Sequence, residues 1–61
     1  MKKSVYYIEN STTLQGVLAT LEDIIPCFIT REPIEMGWLE VSITARQEDL
    51  PTVEKYLAPL V

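Results

Sequence analysis

Five hydropathy patterns follow one another along this chain: strand, helix, strand, strand, helix. That order constrains the fold more than any single residue does. Each helical pattern has one apolar stripe and therefore needs an apolar surface to lie against, and only the strands can supply it. At 61 residues the five patterns account for the whole stretch, so a single domain over residues 1–61 is expected, without a separate catalytic apparatus.

The stretch Trp38–Ala45 has the clearest periodicity. Leu39, Val41, Ile43 and Ala45 alternate with Trp38, Glu40, Ser42 and Thr44, which predicts a strand with one core face and one polar face. Residues 4–9 read as a first strand in which both faces are apolar: Val5 and Tyr7 point one way, Tyr6 and Ile8 the other. Such a strand should be covered on both sides, by the chain's own helices and by a partner chain. Residues 27–31 read as a short edge strand bracketed by Pro26 and Pro33, and residues 32–37 as a hairpin loop ending at Gly37.

Between the first two strands, Leu14, Val17, Leu18, Leu21 and Ile25 recur at helical spacing, and Pro26 ends the helix. Thr12 followed by Gln15 fits a capping box, in which each side chain satisfies the other's free backbone donor. Gln47, Glu48 and Asp49 open the second helix, with acids well placed against the dipole and Pro51 tolerable in the first turn. Leu50, Val53, Leu57 and Leu60 form its stripe, flanked by Tyr56. With right-handed crossovers, the expected fold is α+β: a βαββα split βαβ unit, an antiparallel three-stranded sheet with the third strand central and both helices on one face. The pattern reaches Leu60-Val61 without the last strand of a complete ferredoxin-like domain, so the first strand is expected to be an open edge unless a partner or the terminus covers it.

Composition narrows the function classes. Nine acidic against five basic residues give a net charge of −4, and Lys2, Lys3, Arg31, Arg46 and Lys55 are scattered, so no nucleic-acid partner is expected. No apolar run is long enough to span a bilayer, and Met1-Lys2-Lys3 leads into a strand pattern, so the expectation is a cytoplasmic protein with no membrane partner. A lone Cys27 and the absence of histidine exclude an internal disulfide and a four-ligand zinc site; no cofactor is implied and no metal ligands are assigned. Cys27 has no histidine to activate it and reads as an inert cysteine. Glu22-Asp23 and Glu48-Asp49 lack the ligand density of a calcium loop and read as solvated helix faces. No residues are assigned catalytic roles, and the chain is expected not to be an enzyme.

Two surfaces remain as candidates. At the start of the first helix, free backbone N–H groups, the hydroxyls of Ser11, Thr12 and Thr13, and an approaching Arg31 offer a place for a small carboxylate, with Gly16 allowing close contact. The ordinary alternative is helix capping, with Arg31 paired to Glu32 or Glu35 in solvent. On the outward sheet face, Trp38, Phe28 and either Tyr6 or Tyr7 form an aromatic patch suited to a protein contact, with Tyr6, Phe28 and Trp38 as the expected interface residues. Its alternative is that some of these rings face the core.

The segments 14–21 (Leu-Gln-Gly-Val-Leu-Ala-Thr-Leu) and 37–43 (Gly-Trp-Leu-Glu-Val-Ser-Ile), followed by Asp49-Leu50 and Val53, resemble the first helix, third strand and second helix of the ACT family of regulatory domains. Leu14 and Gln15 stand where that family carries an acid and a proline. The resemblance implies a non-catalytic regulatory domain that binds an effector such as an amino acid around Gly16, across a homodimer interface. The alternative is a ligand-free interaction module, self-associating or a subunit docked on a larger protein, that uses its first-strand edge and aromatic sheet face.

Overall fold

The chain's alternating strands and striped helices assemble around one central strand. The computed structural model describes Met1–Val61 and contains β1 (Lys2–Glu9), α1 (Thr12–Ile24), β2 (Cys27–Glu35), β3 (Trp38–Ala45) and α2 (Leu50–Leu57), with 3₁₀ turns at Gln47–Asp49 and Ala58–Leu60. The sheet order is β1-β3-β2, and β3 runs antiparallel to both neighbours. β1 and β2 are therefore parallel with β3 inserted between them, the split βαβ arrangement that the order of patterns predicts.

The inward residues of β3 meet the helix stripes as expected. Leu39, Val41, Ile43 and Ala45 join Ile8 from β1, Leu14, Leu18 and Leu21 from α1, and Val53 and Leu57 from α2 in a single buried cluster. Burying one such side chain stabilises the fold by about 1.5–3 kcal/mol, and no polar group interrupts the cluster. Tyr6, Val17, Ile25, Ile29, Leu50, Tyr56 and Leu60 pack around its rim. Both helices thus cover the same side of the sheet, and the other side carries no element of the chain.

Several boundaries differ from those expected, each for a local reason. β1 starts at Lys2 and pairs with β3 without a break, from Lys2 opposite Ala45 to Glu9 opposite Trp38. β2 runs past Arg31 to Glu35, because an edge strand tolerates Pro33 and absorbs a bulge between Pro33 and Glu35. The hairpin loop shrinks to Met36-Gly37, both at positive φ (40° and 83°), as a two-residue turn matched to strand twist requires. At α1 the cap is Ser11, not Thr12. Ser11 has extended backbone and its Oγ accepts the Leu14 N–H at 3.0 Å, while the Gln15 side chain turns to Asn10 instead of closing a capping box. Gln47–Asp49 forms a 3₁₀ turn before α2.

Candidate docking surface and helix start

The end of β1, the start of α1 and the hairpin lie together, tied by the Asn10 N–H donating to the Gly37 carbonyl at 2.8 Å. Polar side chains around the helix start are largely occupied with one another. Gln15 Nε2 donates to Asn10 Oδ1 at 2.8 Å, and Gln15 Oε1 accepts from Arg31 Nε at 3.0 Å. The Arg31 guanidinium extends along α1 to Glu22 Oε1 at 3.5 Å, so its carboxylate partner is Glu22 and neither Glu32 nor Glu35. That exposed pair is worth at most about 1 kcal/mol, but it fastens β2 to the flank of α1.

Of the residues assigned to ligand binding, Ser11 and Arg31 are thus engaged within the chain. Thr12, Thr13 and Gly16 are exposed, and a Cβ added at Gly16 would meet nothing within 4 Å. A cleft of about 260 Å³ opens nearby at the hairpin end, between Asn10, Pro33, Ile34, Glu35, Trp38 and Leu39. It takes in none of the five assigned ligand residues, and its volume lies below the roughly 300–1,000 Å³ of ordinary small-molecule sites.

Cys27 is half-buried on the helix side, its Sγ donating to the Leu21 carbonyl at 3.8 Å. Burial raises its pKa, and the carboxylates of Glu22 and Asp49 raise it further, so at neutral pH the side chain is a thiol. Asp49 accepts from Arg46 Nε at 2.9 Å, which occupies one of the two acids that open α2.

The uncovered sheet face is the larger feature. Side chains alternate along each strand, so the register places four rows across it. They are Lys3–Thr44–Phe28, Val5–Ser42–Thr30, Tyr7–Glu40–Glu32 and Glu9–Trp38–Glu35. Phe28 is 67% exposed, Tyr7 56%, Val5 45% and Trp38 42%, a large apolar share for water-facing side chains. Ser42, at the centre between Val5 and Thr30, is buried although no element covers it. Phe28 and Trp38 therefore lie where the sequence placed them.

Tyr6 does not. It faces the helices beside Ile8, packed against the core rim, and burial raises its hydroxyl pKa, with Glu54 of α2 adding to the effect. The outward tyrosine is Tyr7. The sequence could not choose between the two because both faces of β1 are apolar; the choice follows from Ile8, which the core claims completely and which carries Tyr6 with it. Val5 was likewise not singled out, although it shares Tyr7's face in any register.

Charge divides the same face. Glu9, Glu32, Glu35 and Glu40 surround Tyr7 and Trp38 on its hairpin half, whereas Lys3 is the one cation in the four rows, at the opposite end. No family model, no curated protein and no solved structure matches this chain.

Proposed function

We propose that this domain is a non-catalytic interaction module that docks other proteins through its uncovered sheet face, with the open edge of β1 as a second interface. The observation that carries the reading is the face itself: Val5, Tyr7, Phe28 and Trp38 stand in water on a three-stranded sheet whose helices all lie on the other side. Aromatic anchors framed by polar groups are what an interface core uses to gain affinity. The carboxylates of Glu9, Glu32, Glu35 and Glu40 select a partner segment bearing Lys or Arg, whose cations also stack on Trp38 and Tyr7.

Two substitutions of a photo-activated cross-linking residue test this in cells that express the protein. One replaces the outward-facing Thr30, the other the exposed Glu54 on α2. A discrete partner captured from Thr30 and not from Glu54, with capture lost in Glu32→Lys, supports the reading. Equal labelling from both positions, or capture indifferent to Glu32→Lys, refutes it.

The regulatory role implied by the ACT resemblance draws support from the open space at Gly16 and the exposed hydroxyls of Thr12 and Thr13. A melting-temperature rise with an amino acid, abolished by Gly16→Trp, would establish it in place of docking.

A further inference from the structure

Which object covers the β1 edge can be read from the edge's own chemistry. The two edges of the sheet are unlike. β2 is protected against pairing by Pro33 and by the bulge before Glu35. β1 has eight residues, no proline, no bulge and an unbroken register, so its outward backbone groups form an unspent hydrogen-bonding ladder.

We propose that β1 pairs antiparallel with β1 of a second copy of this chain, with Tyr6 opposite the partner's Tyr6. This rests on the docking reading only in taking the open β1 edge as an interface. A two-fold axis perpendicular to the sheet keeps the helices of both copies on one side, so directly opposed residues must face the same way. Centring the axis on Tyr6 places Lys3 opposite the partner's Glu9 and Glu9 opposite the partner's Lys3, both on the uncovered face. Between them, Val5 meets the partner's Tyr7, and Tyr7 the partner's Val5. Charged and apolar positions are thus self-complementary along the uncovered face of the strand. Moving the axis to Val5 sets Lys3 against the partner's Tyr7 and leaves Glu9 opposite the partner's Met1, while centring it on Tyr7 sets Val5 against the partner's Glu9. Neither Lys3 nor Glu9 takes part in an ion pair within the chain, so both are available.

The same charges oppose the other way of joining two copies. Stacking uncovered face on uncovered face would gather Glu9, Glu32, Glu35 and Glu40 of each copy into one desolvated layer. Edge pairing avoids that layer. It joins two three-stranded sheets into one of six strands and presents both aromatic faces on the same side.

The test uses the intact chain, with light scattering and sedimentation from about 1 μM to about 1 mM. The wild type is expected to be dimeric. Lys3→Glu and Glu9→Lys, both at exposed positions, each turn the two attractive cross-strand pairs into repulsive ones and weaken self-association by about tenfold or more. Mixing the two variants restores complementary charge at both ends, so a heterodimer tighter than either homodimer is expected. Hydrogen exchange should slow with concentration at alternate β1 amides and stay unchanged along β2, while Trp38 remains equally open to acrylamide quenching.

A wild type monomeric at about 1 mM overturns the proposal. So does a mixture that associates no better than the separate variants. A dimer that shields Trp38 and leaves β1 amides unprotected would refute edge pairing while leaving the face as a docking surface. Conversely, an edge dimer whose Thr30 captures no partner would uphold the pairing and refute the docking of other proteins.

Discussion

Met36 offers the sharpest test of the backbone geometry, because the expected effect is a gain. It occupies the first central position of the β2–β3 turn at φ 40°, where an ordinary L residue suffers contact between its Cβ and the backbone. That contact costs roughly 1–2 kcal/mol, and only glycine and, to a lesser degree, asparagine or aspartate escape it. The methionine side chain gains nothing in return, since it is 93% exposed. Met36→Asn creates the Asn-Gly pair that two-residue hairpin turns favour and leaves the Asn10–Gly37 hydrogen bond untouched. A stabilisation of about 1 kcal/mol follows, which raises the melting temperature of a domain this small by about 4–8 °C. Thermal and urea unfolding followed by circular dichroism at one fixed protein concentration measure it. Met36→Ala keeps the Cβ contact and should change little, whereas the β-branched Met36→Val should destabilise. An Asn variant no more stable than wild type, or a Val variant equal to it, would refute the claim that this residue is strained.

Three further outcomes are expected. Gly16→Ala, in the middle of α1 with free space around it, should stabilise the fold by about 0.5–1 kcal/mol in thermal melts; a loss would mean the glycine serves the packing of the monomer. Ser11→Ala should destabilise by about 1 kcal/mol in urea titrations, while Thr12→Ala leaves stability nearly unchanged, which separates the observed cap from the one the sequence suggested. Folding holds the Cys27 thiol and the Tyr6 hydroxyl above their ordinary pKa values of 9.0 and 10.0. As pH rises past those values the unfolded chain releases its protons first, so stability should fall, beginning near pH 9. Cys27→Ala should delay the fall until Tyr6 ionises, and stability that stays level up to about pH 11 would contradict both shifts.

Most of the fold was legible in the sequence, because period carries the signal. The alternation of Leu39, Val41, Ile43 and Ala45 marked the inner face of β3, and Leu14, Leu18 and Leu21 marked the stripe of α1; all seven are buried. The boundaries were less legible. Pro33 read as the end of a strand, yet an unpaired edge does not use every backbone N–H, and β2 continues to Glu35. Met36 carries no turn signal of its own, so the shortness of the hairpin could not be seen. At the candidate sites the hydroxyls at 11–13 announced a helix start, but not which one would cap it. The partners of Arg31, namely Gln15 and Glu22, lie 16 and 9 residues away and come within reach only once β2 rests on α1.

The sequence alone thus determined the element order, the central place of β3, the buried stripes and the acidic balance, all of which follow from local periodicity and composition. Tertiary structure decided which face of β1 is buried, that Tyr7 and not Tyr6 joins Phe28 and Trp38 in water, and that four carboxylates gather around them. The physical reason is that a strand apolar on both faces has two registers of equal local merit. Only the requirement that Ile8 enter a core built from three other elements separates them.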